Sequence, residues 1–141
     1  MIGNMKMLKS ENIKYLIIHC SDTPDKSNLS AEDIHIMHLS FGWDGIGYHK
    51  VIEKDGNIEN GRPEFWKGAH VYNFNHKSLG ICLIGRKDFN ERQFKALKKI
   101  LTSWKVKYPK AKIVGHYYFE NTNKSCPNFN VDLWCKKEKL N

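Results

Sequence analysis

The run IKYLIIHC, Ile13 to Cys20, decides the fold class. Its alternation turns Tyr15, Ile17 and His19 one way and Leu16, Ile18 and Cys20 the other. Both sets are largely apolar, whereas a strand wet on one side would carry polar residues on that side. The run therefore reads as a central strand covered on both faces. SLGICLIG, Ser78 to Gly85, has the same buried character.

Helical patterns alternate with these strands. Ser30 and Asp33 form a capping-box-like start for a helix running to about Phe41, with Ile34, Met37, His38 and Phe41 on its inner stripe and Gly42 as its stop. Asn90 and Gln93 open the longest helix. Its core face is Phe94, Leu97, Ile100, Leu101, Trp104 and Tyr108, with lysines opposite and Pro109 as the end. Tyr48 to Glu53 reads as a strand that puts Tyr48 and His49 on opposite faces, and Asp55-Gly56 turns it into a short return strand near Asn57 to Glu59. Lys112 to Val114 is a further short strand, and Val131 to Lys137 a final helical turn or two. The expected architecture is α/β: a single domain with a central mixed β-sheet flanked by helices. Residues 1–12 are expected to be a flexible N-terminal segment and residues 13–141 the domain.

Composition narrows the function classes. The formal charge of +8 implies an anionic partner such as nucleic acid, anionic lipid or an acidic wall polymer, or simply a solvating surface. Met1 to Asn12 lacks the apolar core of a signal peptide, and no run is long enough to span a membrane, so cytoplasmic synthesis is expected. Four cysteines, Cys20, Cys82, Cys126 and Cys135, are then expected to stay reduced. Cys20 and Cys82 sit in strand-like apolar runs and read as small buried hydrophobes.

Cys126 reads differently. GHYYFENTNKSCP, Gly115 to Pro127, packs an imidazole (His116), an amine (Lys124) and a thiol (Cys126) into little more than one loop. One nitrogen and one thiolate suit a borderline cation such as Zn²⁺. An open catalytic zinc site takes three protein donors, and His19, at the end of the first strand, is the obvious third. Taken singly, a histidine at a strand end is more often a hydrogen-bonded core residue than a ligand, and a loop lysine more often a solvated charge. The irregular segment Gly61 to Lys77 mixes Arg62, Trp66, His70, Tyr72, Phe74, Asn75 and His76, as a binding wall would, although Trp66 and Phe74 could equally pin a long loop.

In order and spacing, several motifs together resemble one family. HCSDT at His19, FGW followed by GYH ending at Tyr48 and His49, the DG turn, GRPEFWKGAH ending at His70, SLGICLIG, and GH…KSCP cover Ile13 to Trp134. They are similar to the zinc N-acetylmuramoyl-L-alanine amidases of the bacteriophage lysozyme type, which share their fold with peptidoglycan recognition proteins. The resemblance implies that His19, His116 and Cys126 bind Zn²⁺, that Tyr48 and Lys124 assist catalysis, and that His70, Trp66 and Asn75 line a substrate groove. Recognition proteins without activity commonly lack the thiolate ligand, and this chain keeps Cys126. Met37, where phage relatives tend to carry Trp, and the loop Asn121-Thr122-Asn123 depart from the pattern.

The implied activity is hydrolysis of the amide between N-acetylmuramic acid and L-alanine in peptidoglycan. The implied setting is a monomeric phage or prophage endolysin that reaches the wall with the help of a separate membrane-permeabilising factor. A non-catalytic peptidoglycan-binding module is the alternative. A basic nucleic-acid-binding domain is the third reading, and no recognised nucleic-acid motif supports it.

Overall fold

The computed structural model describes residues 7–119 and 125–141. The first covered strand forms as β1, Tyr15–Cys20, and sits inside a five-stranded sheet. It is followed by α1 (Ala31–Ser40), β2 (Lys50–Ile52), β3 (Ile58–Asn60), β4 (Ser78–Leu83), α2 (Glu91–Lys107), β5 (Lys112–Gly115) and α3 (Val131–Glu138). The sheet order is β3-β2-β4-β1-β5. β1 runs parallel to β4 and β5, and β2 is parallel to β4, while β2 and β3 form an antiparallel hairpin through the Asp55-Gly56 turn. The sheet is mixed, as the combination of buried runs and one tight turn predicts.

The alternation in β1 is realised by two different covers. Leu16 and Ile18 join Leu79, Ile81, Leu83 and Ile113 beneath α2 and α3. On the opposite face Ile17 packs with Val71, Val114 and Phe119, and Cys82 and Val51 pack with Ile34 of α1. Helix α2 buries Leu97, Ile100, Leu101 and Trp104, and each large apolar side chain so buried contributes roughly 1.5–3 kcal/mol. Its reciprocal Asn90/Gln93 capping box adds about 1 kcal/mol, so packing rather than capping dominates the hold on this helix.

Two local expectations are corrected. Phe41 lies beyond the end of α1 and is 58% exposed; its ring meets His38 and Trp43 rather than the core, and Ile34 and His38 carry the buried stripe. Because α1 is apolar on several sides, with Ile36 and Leu39 also exposed, periodicity alone could not single out its inner face. Tyr48 and His49, expected on opposite faces, lie on the same side of the sheet. The regular pleat of β2 starts only at Lys50, so alternation does not govern them. Tyr48 packs with the cluster under α1, and His49 faces the His70 ring.

Part of the segment ahead of Ile13 packs onto the domain. Leu8 is buried, and its N–H donates to the Phe65 carbonyl at 2.8 Å. Glu64 holds the neighbouring loop against the end of α2, accepting from Lys107 Nζ at 3.1 Å and the Tyr108 hydroxyl at 3.2 Å.

Among the groups that tie the loop after β1 to the loop after β4 is the Asp25 carboxylate. Asp25 Oδ1 accepts the backbone N–H groups of Arg86 (2.7 Å), Lys87 (3.2 Å) and Asp88 (3.2 Å). These donors, led by Arg86, hold its pKa at about 2. A carboxyl depressed in this way stabilises the fold above its unfolded pKa of about 4, and the contribution is lost as pH falls through its folded value. Asp25→Asn is therefore expected to lower the melting temperature at pH 7 by a few degrees. The gap from the parent chain should close as pH drops toward about 2. An equal gap at both pH values, read by thermal denaturation, would contradict this role.

Candidate metal centre

Parallel strands gather their carboxyl ends at one edge of the sheet, where α/β proteins form ligand crevices. His19 is the penultimate residue of β1, and His116 follows directly after β5, the strand paired to β1. Their rings lie 4.5 Å apart between centroids. Cys126 precedes α3, and its carbonyl accepts the Tyr117 N–H at 3.0 Å. Potential ligand atoms of His19, His116 and Cys126 all lie within 4.8 Å of one another. Residues separated by up to 107 positions in sequence thus converge on one point. Two nitrogens and one sulfur form a donor set that suits zinc.

The surroundings favour neutral imidazoles, the form that can offer a lone pair. His19 is buried, and burial, reinforced by His70 and His116, holds its pKa well below the usual histidine range. His70 is depressed well below that range for the same leading reason. The Cys126 thiol is pushed up by its hydrogen bond with Cys20 and by burial. One backbone donor acts in the opposite sense: the Cys20 N–H donates to Cys126 Sγ at 3.0 Å. That amide offers a sulfur anion a hydrogen bond from rigid strand backbone. Sequence reading had no access to it, because the donor is main chain and 106 residues away.

Tyr48 stands beside this group, its ring centroid 5.2 Å from that of His19. Burial, followed by the neighbouring thiols of Cys82, Cys126 and Cys20, pushes its phenol well above the usual tyrosine range, so the group is a protonated donor at neutral pH. Lys124 and the Asn121-Thr122-Asn123 stretch lie outside the described residues.

The residues expected along a groove have internal partners. Asn75 Oδ1 accepts the N–H groups of His70 (2.9 Å) and Val71 (3.0 Å), which closes the turn that carries His70. Half-buried Trp66 receives a hydrogen bond on its carbonyl from His49 Nε2 at 2.7 Å. His49 Nδ1 in turn accepts the Gly80 N–H at 3.1 Å, so this ring is a structural strut. His70 is buried, with its Nδ1 2.8 Å from His19 Nε2.

A sequence profile described as N-acetylmuramoyl-L-alanine amidase matches residues 9–129, from ahead of β1 to beyond Cys126. The chain belongs to the N-acetylmuramoyl-L-alanine amidase family. Among its relatives is the endolysin of Escherichia phage T7, 31% identical over 147 aligned positions that cover 99% of this chain and 96% of the relative. Among solved structures, the N-acetylmuramoyl-L-alanine amidase LysC from Clostridium intestinale superposes with a TM-score of 0.82 at 25% identity, covering 99% of this chain and 96% of that one. Bumblebee PGRP-SA superposes with a TM-score of 0.81 at 28% identity, covering 96% and 86%. The amidase fold expected from the motifs is the fold observed. Among the described residues, no helix of this family member is long and apolar enough to cross a membrane.

Proposed function

We propose that this chain hydrolyses the amide bond between N-acetylmuramic acid and L-alanine in peptidoglycan, as a zinc-dependent amidase of the phage endolysin type. The observation that carries the reading is the convergence of His19, His116 and Cys126 with their ligand atoms within 4.8 Å. The two imidazoles and the thiolate would hold Zn²⁺ and leave one position open. Bound there, zinc would supply Lewis acidity, lowering the pKa of water and polarising the amide carbonyl.

The remaining chemistry belongs to side chains. Amide hydrolysis develops negative charge on the carbonyl oxygen, which preorganised donors stabilise most effectively in a site that excludes water. The Tyr48 phenol is the donor held beside His19 and is assigned to this oxyanion. Lys124, two residues before Cys126 in sequence, is assigned as a second donor, this one positively charged, on its sequence position and family resemblance. Trp66 is assigned to the border of the substrate groove, whereas the internal contacts of His70 and Asn75 give those two a supporting role. The positive charge suits the anionic polymers of a bacterial wall.

The test is release of free L-alanine amino termini from purified peptidoglycan by the intact chain. Release is expected from the zinc-loaded protein, none after treatment with a chelator, and recovery on adding zinc. Muropeptide binding without release under every condition would instead establish a non-catalytic binding module. Release that is indifferent to chelation, with no metal bound, would overturn the zinc dependence.

A further inference from the structure

Behind His19 lies a line of hydrogen bonds whose directions can be followed proton by proton. It begins at Ser78, the first residue of β4. The Ser78 hydroxyl donates to the Phe74 carbonyl at 2.8 Å, and a carbonyl can only accept. The single hydroxyl proton is thereby committed, so toward His70 Nε2, 3.4 Å away, Ser78 presents a lone pair. An acceptor facing Nε2 favours the His70 tautomer that carries its proton on Nε2 and keeps a lone pair on Nδ1. That lone pair faces His19 Nε2 at 2.8 Å, which makes His19 Nε2 the proton donor. A neutral imidazole has one N–H, so His19 Nδ1 is left with its lone pair free.

The place of His70 is built rather than incidental. Its ring lies over Gly80, where an added Cβ would come within 2.7 Å of Cγ and Nδ1. Gly68 bounds it on another side, with an added Cβ 2.5 Å from Cδ2. The backbone N–H of His70 is held by Asn75 Oδ1. Two positions without side chains and one capped turn therefore seat an imidazole against the back of His19.

We propose that His70 is a positioning residue for the metal centre: through the Ser78–His70–His19 relay it fixes His19 as the Nε2–H tautomer and presents Nδ1 as the metal-binding atom. The inference rests on the zinc reading above. It adds which nitrogen of His19 is used and what holds it there. Partners of this kind on a ligating histidine change metal affinity by about 10–100-fold when removed.

Two measurements test it, and their failures are distinguishable from failure of the zinc reading. In the metal-free wild-type chain, long-range ¹H–¹⁵N correlation spectra of the imidazoles report each tautomer directly. The expected pattern is Nε2–H with unprotonated Nδ1 for both His19 and His70, and a proton on His19 Nδ1 overturns the proposal whether or not zinc binds. Zinc affinity, measured by competition with a chromophoric chelator, is expected to fall about 10–100-fold in His70→Ala. His70→Asn, which keeps a carbonyl acceptor near the Nδ1 position, is expected to recover most of that loss. An affinity for His70→Ala within twofold of wild type, or equal losses in both folded variants, rejects the positioning role. If the wild type itself binds no zinc, the zinc reading fails while the tautomer measurement still decides the relay.

Discussion

Cys126→Ser is expected to lose tight zinc binding and to release L-alanine termini at least about 1,000-fold more slowly, the upper scale for removing a single oxyanion donor. The loss should be at least this large because, in the zinc reading proposed above, the sulfur would help hold an ion that would serve both the nucleophile and the carbonyl. Serine is close to cysteine in size, but its hydroxyl stays protonated near neutrality, and a neutral oxygen is a poor substitute for a thiolate on zinc. The fold should survive, since a serine Oγ can still accept the Cys20 N–H that now reaches Cys126 Sγ at 3.0 Å. Metal content by atomic spectroscopy, with circular dichroism as the folding control, checks the first claim, and amide release checks the second. A folded Cys126→Ser chain that keeps stoichiometric zinc and near-parental turnover would remove Cys126 from the site.

Tyr48→Phe should separate catalysis from metal binding. The substitution deletes only the hydroxyl. Loss of one donor to a developing oxyanion costs about 100–1,000-fold in kcat. Zinc content should be unchanged, because Tyr48 is not among the three converging donors. The ring packs in the cluster of Ile34, Ile46, Val51, Cys82 and Ile84, and phenylalanine fills the same space, so stability should change little. A variant within threefold of the parent kcat would remove Tyr48 from the chemistry. A variant that loses zinc would place the hydroxyl in metal retention instead. Lys124→Ala, read in the same assay, is expected to slow release as well, since a positive donor to the developing oxyanion is lost.

The two substitutions bear on different parts of the polypeptide, and the parts differ in how they could be foreseen. The strands were legible because burial on both faces leaves a direct mark: Ile13 to Cys20 and Ser78 to Gly85 have almost no polar residue to turn toward water. Helix α2 was legible because one face of it is lysine-rich and the other is not. Helix α1 was placed correctly at its N-terminus by Ser30 and Asp33, whose reciprocal hydrogen bonds are local. Its buried face does not extend to Phe41, which lies past the helix end, and with Ile36 and Leu39 also apolar but exposed only tertiary packing decides which side is covered. Tyr48 and His49 were assigned by an alternation that holds only inside a regular strand, and theirs begins one residue later.

The donor set of the candidate site followed from chemistry and motif order: an imidazole, a second imidazole and a thiol of the types zinc prefers, in an arrangement that resembles one family. Chain order cannot say whether they meet. Their meeting follows from parallel pairing, which sets the end of β1 beside the end of β5, and from the placement of Cys126 next to both. His70 shows the division most clearly. By sequence it is one polar residue in an irregular segment that reads as a binding wall. Only the fold, by laying it over Gly80 and 2.8 Å from His19, turns it toward the candidate ligand His19. The amino-acid sequence by itself determined the layers, the element types and the kinds of donor atom, because burial periodicity and side-chain chemistry are local properties. Distances between donors, the tautomer chain behind His19 and the backbone amide on Cys126 were decided by tertiary structure, because each depends on the register of strands far apart in the chain.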